Sequence, residues 1–357
     1  MHHDRTHQTL CNEMTMKPGV VFDDRYADHA MGPAHVESPE RVLVLNRMLA
    51  AEPPERFLRI EPRPATETEL SWIHGQGYID FLRTTAGRDA VLIDGDTSTG
   101  PKTFDTALLA AGGLLRAIDV VMEGEAAGAF ALVRPPGHHA EATRAMGFCF
   151  FNNTAIGAEY LIRRHGLRRV LVVDFDLHHG NGIQRAFYSR SDVLYFSVHQ
   201  APLFPGTGAL RETGDGPGKG YNLNVPLRAG KGDADFLHVF QKILRPVAAG
   251  FRPEFILVSA GFDIAAGDPL GGMTVSREGF GLLADSLAAM AAESCPNRLA
   301  FVLEGGYNLA ALRDGVLEVL NRLSAPAASP LPDLEISEET RLELGPCFQV
   351  FHGYWEL

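Results

Sequence analysis

Six short apolar, β-branched runs, most followed by a loop and a helical stretch, constrain this chain more than any other feature. They lie at residues 19–22, 129–133, 169–174, 193–198, 255–260 and 299–303. None alternates apolar with polar, so each reads as a strand covered on both faces. Helical stretches are expected at 38–51, 103–123, 153–165, 233–249, 277–293 and 310–323. Such alternation implies an α/β fold built on a mostly parallel, doubly wound sheet flanked by helices. Ligands of such sheets bind beyond the carboxyl ends of the strands. The reactive side chains fall there, at 134–139, 174–182, 199–208, 261–272 and 304–307. Chance would scatter them over both edges.

Other segments read as surroundings. Residues 1–17 are expected to form a flexible leader, and the Gly-rich segment 206–220 a mobile loop. The Pro/Ala/Ser segment 325–332 reads as a linker within a C-terminal region of 324–357. The tail should pack back on the body, because Phe348, Phe351, Tyr354 and Trp355 need burial. Residues 24–38 and 206–220 are expected to shape the mouth of the site.

The formal net charge of -12 argues against nucleic-acid binding, which needs a basic footprint. It suits cationic partners, though a protein that simply stays dispersed is the simpler reading. Cys11, Cys149, Cys295 and Cys347 form no C-x-x-C pair, so reduced thiols and a cytoplasmic location are expected. No stretch approaches the roughly 18 apolar residues of a membrane helix, and the N-terminal residues do not resemble a secretory signal. Oligomeric state is left open, a homo-oligomer included.

The strongest local signal is VVDFDLHHGNG, residues 172–182. Asp176 and His178, two apart at a strand end, point the same way. Carboxylate and imidazole suit Zn²⁺ or a similar divalent ion. Asp263, in SAGFDIAAGDPLGG, is the best third ligand, and three protein ligands leave a position open for water. The bland alternative is that both aspartates cap helices. In RPPGHHAE, His138 and His139 can flank a water on the metal as acid and base, or be ordinary turn histidines. Asp174 is placed to orient His138 and Asn181 to orient His139. In LEGGYN, Tyr307 is placed to donate to an oxyanion, though a tyrosine on a Gly turn is often a surface residue. Gly147, Phe148 and Phe204 can line an apolar channel, or serve as packing.

Taken together, RPPGHHA, GFCFFNN, DFDLHHGNG, SAGFD and LEGGY resemble the histone deacetylase family, with its arginase-deacetylase fold. The resemblance covers roughly residues 18–323, expected to form a single catalytic domain. It implies a single Zn²⁺ at Asp176, His178 and Asp263, with His138 and His139 as the acid-base pair and Tyr307 as oxyanion donor. It also implies structural K⁺: one ion near Asp174, Asp176, His178, Ser197 and Val198, a second near Phe187, Arg190, Val193 and Tyr221. Phe148 and Phe204 match the channel walls, and Asp96 or Ser98 the rim group that holds the substrate backbone. Asn181 matches the class II pattern. Leu270 stands where polyamine-selective relatives carry an acidic gatekeeper, which favours acyl-lysine. The expected reaction is hydrolysis of acetylated lysine side chains. The alternatives are an acetylpolyamine amidohydrolase, a two-metal ureohydrolase (for which His179 and Gly180 stand where an Asp is wanted), and a protein that binds acylated ligands without turnover.

Overall fold

The computed structural model describes residues 16–324 and 330–357. Most of the expected leader and the start of the expected linker, with Cys11, lie outside the described residues. The strands are β1 (Gly19–Val21), β2 (Leu58–Ile60), a small hairpin of β3 (Val91–Leu92) and β4 (Ser98–Thr99), β5 (Ala129–Ala131), β6 (Val170–Asp174), β7 (Val193–Gln200), β8 (Asn222–Leu227), β9 (Phe255–Ala260) and β10 (Leu299–Leu303). Eight of them form one sheet in the order β2-β1-β5-β10-β9-β6-β7-β8. Every pairing in it is parallel.

Successive side chains of a strand point to opposite faces, and here both faces are apolar and buried. Leu171, Val173, Ile256, Val258 and Phe301 join one core; Val170, Val172, Phe255, Leu257 and Val302 join the other. This explains the unbroken apolar runs. The second core is closed by the one-turn α2 (Glu67–Leu70), α3 (Gln76–Arg83), α4 (Thr103–Met122), α5 (Asn153–Arg163) and α6 (Asn181–Phe187), while α1 (Glu40–Ala50) gives Val42 to it and Leu45, Met48 and Leu49 to the first. The first core is closed largely by α7 (Asp233–Val239), α8 (Arg245–Phe251), α9 (Arg277–Ser294), α10 (Leu309–Ser324) and α11 (Glu338–Phe351). No helix among the described residues is long and apolar enough to cross a membrane.

Several boundaries differ from the sequence-based expectation. β7 runs two residues further than expected, and β5 ends two residues earlier. The stretch expected as one helix over 233–249 is α7 and α8 joined by a π-turn at Phe240–Leu244. The segment 206–220 is hydrogen-bonded within itself and to the sheet: Gly208 N–H donates to Glu212, Gly208 carbonyl pairs with His199 Nε2 at 3.1 Å, and Gly220 N–H donates to Thr213. The tail contains α11, with Phe351 fully buried and the Trp355 indole N–H donating to the Gly220 carbonyl at 2.8 Å. Tyr354, expected to be buried, is 40% exposed.

Candidate active site

Asp176 follows β6 by two residues and Asp263 follows β9 by three, and these strands are neighbours in the sheet. His178 Nδ1 lies 3.2 Å from Asp176 Oδ1 and 3.2 Å from Asp263 Oδ2. The three side chains bring their ligating atoms within 4.8 Å of one another. Backbone N–H groups hold the carboxylates: Gly305 donates to Asp176 Oδ2 at 2.8 Å and Leu177 to Asp263 Oδ1 at 3.0 Å. Asp263 Oδ2 is buried without a hydrogen bond, an arrangement that is costly unless a cation completes it. Burial and the charge of Asp176 raise the Asp263 carboxyl above its usual range. Two carboxylates and one imidazole around an unsatisfied buried oxygen fit a divalent ion such as Zn²⁺. Gly305 makes room for this, since a Cβ there would stand 2.7 Å from Asp176 Oδ2 and closer still to Asp263.

The histidine pair stands beside these three residues. The rings of His138 and His139 are 3.9 Å apart between centroids. His138 Nδ1 pairs with Asp174 Oδ2 at 3.2 Å, and the Tyr195 hydroxyl donates to the same oxygen at 2.9 Å. His139 Nδ1 pairs with Asn181 Oδ1 at 2.8 Å. The two environments push the rings apart. Burial alone would lower the His138 imidazole, but the charges of Asp176, Asp174 and Glu304 and the Asp174 hydrogen bond raise it to about 10. Burial and the neighbouring His138 and His178 push His139 well below its usual value.

Tyr307 is held at its backbone and its ring. Its N–H and that of Asn308 donate to Asp268 Oδ2 at 2.7 and 3.0 Å. The Arg41 guanidinium lies over the ring, 5.0 Å from its centroid. Arg41 also donates to the carbonyls of Gly306 and Glu304, at 2.7 and 2.5 Å. Burial keeps the Tyr307 phenol neutral, well above its usual pKa. Behind it, Glu37 pairs with both Arg41 and Arg134 in a fully buried cluster.

A cavity of about 260 Å³ opens above these groups, lined by His138, His139, His178 and Tyr307 at its base, with Gly147, Phe148, Leu203, Phe204, Leu270 and Asp96 around it. Gly147 has φ +55° and packs so closely on His139 that a Cβ would stand 2.9 Å from a carbon of that ring. Asp96 and Ser98 separate: Asp96 reaches the cavity, whereas the Ser98 hydroxyl donates to the Met31 carbonyl at 3.2 Å. Of the segment 24–38, His35 packs edge-on against Phe148.

The residues expected around K⁺ all have protein partners. Asp174 Oδ1 accepts from Asp176 N–H at 3.2 Å, and Ser197 Oγ pairs with His199 Nδ1 at 2.9 Å. The Phe187 and Tyr221 carbonyls accept from the N–H groups of Arg190 and Tyr195. The Arg190 side chain pairs with Glu159 and Asp192, while Val193 and Val198 are buried in β7.

Sequence reasoning missed the supporting carboxylates. Glu304 accepts from the N–H groups of Gly137 and His138, at 2.7 and 3.1 Å, and from the hydroxyls of Thr154 and Ser259. It stands inside the LEGGY motif and Asp268 inside SAGFDIAAGDPLGG, so both were within view. Glu37 and Arg41 sit in no motif, and only the fold brings them to the site.

The chain is similar to known proteins over most of its length. The family model described as histone deacetylase domain matches residues 35–323. A protein named "Probable deacetylase" from Archaeoglobus fulgidus is 40% identical over 82% of this chain and 82% of its own length. The human "Polyamine deacetylase HDAC10" is 40% identical over 83% of this chain, which spans 46% of that longer protein. The crystal structure of the HDA15 HD domain superposes with a TM-score of 0.88 at 35% identity, covering 96% of both chains. The chain therefore belongs to the histone deacetylase family, and with it to the hydrolases of amide bonds.

Proposed function

We propose that this protein is a Zn²⁺-dependent deacylase that removes acetyl groups from acetylated lysine side chains. One observation carries the reading: Asp263 Oδ2, buried and without a hydrogen bond, faces Asp176 and His178 at the base of an aromatic-walled cavity. Bound by Asp176, His178 and Asp263, Zn²⁺ supplies Lewis acidity to the scissile carbonyl and to the attacking water. His139, its Nδ1–H engaged by Asn181, offers Nε2 to take a proton from that water. His138, backed by Asp174, donates to the departing amine. Tyr307 donates its hydroxyl proton in a hydrogen bond to the oxygen that gains charge as the carbonyl is attacked. Phe148 and Phe204 enclose the methylene stem, and Asp96 holds the substrate backbone at the rim.

Leu270 presents an apolar side chain to the cavity, which supports acyl-lysine over a polyamine cation. The relative named as a polyamine deacetylase keeps acetylpolyamines as the second reading. Structural K⁺ belongs to the proposal as well, since a carbonyl that accepts one hydrogen bond keeps a second lone pair for an ion. Free, buried Cys149, Cys295 and Cys347 fit a reducing cytoplasm.

The test is a panel of acetylated lysine peptides, acetylspermidine and acetylputrescine, assayed with and without chelator. Acetyl-lysine should be the better substrate and chelator should abolish turnover. Faster acetylpolyamine hydrolysis would reverse the preference. Turnover that survives complete metal removal would end the metal reading.

A further inference from the structure

Asn181 faces two ways. Its Oδ1 lies 2.8 Å from His139 Nδ1, and its Nδ2 donates to Glu141 Oε1 at 2.8 Å. An isolated carboxamide can present either end to an imidazole, and the two choices select opposite tautomers. With the carbonyl end toward the ring, Nδ1 carries the proton and Nε2 is a bare acceptor. With the NH₂ end toward it, Nδ1 must accept, Nε2 carries the proton, and the ring cannot serve as a base at that atom. A carboxylate only accepts, so it draws the NH₂ end to itself. Glu141 is the carboxylate that does this, and it stands nearer to Nδ2 than the other two acceptors there, the His139 carbonyl at 3.3 Å and Met146 Sδ at 3.4 Å.

The carboxylate is itself anchored. Arg185 Nε lies 2.9 Å and Arg144 3.3 Å from the same Oε1. The Glu141 backbone exchanges hydrogen bonds with Arg144, and its carbonyl pairs with His74 Nδ1 at 3.0 Å. Behind the pair lies a separate cavity of about 680 Å³ lined by Glu141, Asn181 and Arg185, among others. Water there would compete for the amide if the carboxylate were lost.

We propose that Glu141 is a positioning residue, whose carboxylate fixes the orientation of the Asn181 amide and so holds His139 in the tautomer protonated at Nδ1. The inference rests on the reading of His139 as the base. It explains why an amide suffices where a carboxylate would be the more direct orienter: Glu141 provides the charge one residue further out.

The experiment combines ¹⁵N-histidine NMR of the metal-loaded protein with steady-state kinetics on an acetyl-lysine peptide, for Glu141→Ala and the isosteric Glu141→Gln. In the wild type His139 should be protonated at Nδ1. In Glu141→Ala the signal should shift toward the other tautomer, and kcat should fall about tenfold or more. KM should change less than twofold and bound metal not at all. Glu141→Gln guards against misfolding of the alanine variant and should fall between it and wild type. The decisive comparison is made in an Asn181→Asp background. An aspartate there needs no orienter and is repelled by Glu141, so Glu141→Gln should now raise kcat. Loss by the same factor in both backgrounds, or an unchanged tautomer in Glu141→Ala, would overturn the proposal. The tautomer is read without turnover, so a wild type lacking deacylase activity would count against the functional reading alone.

Discussion

At the scale of single residues, the proposed mechanism separates groups that would touch substrate from groups that hold them. Tyr307 is fixed by Asp268 at its backbone and by Arg41 over its ring, so removing only its hydroxyl leaves the ring in place. Tyr307→Phe should keep its metal and lose kcat by roughly two orders of magnitude, the loss typical of a missing oxyanion donor. Metal analysis beside steady-state kinetics checks both halves, and near-wild-type turnover would remove the tyrosine from the chemistry. Gly305→Ala should do the reverse, because its added methyl would press on the carboxylates of both Asp176 and Asp263, the proposed metal ligands. It should weaken metal binding about tenfold or more, measured by competition with a chelator of known affinity. At this scale the convergence of Asp176 and His178 was legible in their spacing, whereas Tyr307 on its Gly turn and the adjacent His138 and His139 were weak signals alone and stood out only through the combination of motifs. What was not legible depends on approach through space. Glu37 meets Arg134 across 97 residues of sequence and Arg41 meets Gly306 across 265, separations that no local pattern carries.

At the scale of elements, the interior strands were readable because both faces are buried, which leaves an unbroken apolar signature in β6, β9 and β10. The edge strands were not. β2 reads LRI and β8 reads NLNVPL, with polar residues and a proline that weaken the pattern; both lie at the margins of the sheet, where such residues are tolerated. The last helix was also missed, since Pro346 within α11 argues against a helix when read from sequence alone. Yet α11 completes the first core through Leu344, Cys347 and Phe351. Phe351→Ala should therefore destabilise the protein by about 3–5 kcal/mol, as for other buried aromatic truncations. At a temperature where the variant is still folded, its KM should match wild type. Chemical denaturation and kinetics on the same sample check this, and a variant as stable as wild type would show that the tail contributes nothing to the core.

At the scale of the whole molecule, stability and acidity are linked through buried neutral histidines. His74 uses both ring nitrogens, with Nδ1 paired to the Glu141 carbonyl and Nε2 accepting from Asn152 N–H at 2.9 Å. Only the neutral ring satisfies both, and burial holds its pKa down at about 4. The folded value lies below the unfolded one, so the unfolded chain takes up the proton first. Stability should then fall as pH drops from about 6.5 towards 4, by on the order of 3 kcal/mol from this residue. Denaturant melts across that window should show the slope, and His74→Gln, which cannot titrate, should flatten it; an unchanged slope would assign the effect to other groups. A larger consequence follows from the adjacent parallel strands β6 and β9, which end two and three residues before Asp176 and Asp263. The ladder between the strands, roughly 4.8 Å from strand to strand, sets where the two loops begin, and the N–H groups of Leu177 and Gly305 hold the carboxylates beyond it. The small hairpin, whose Asp96 lines the cavity, stands apart from that arrangement, so changes there can reshape the opening while Asp176 and Asp263 keep their places.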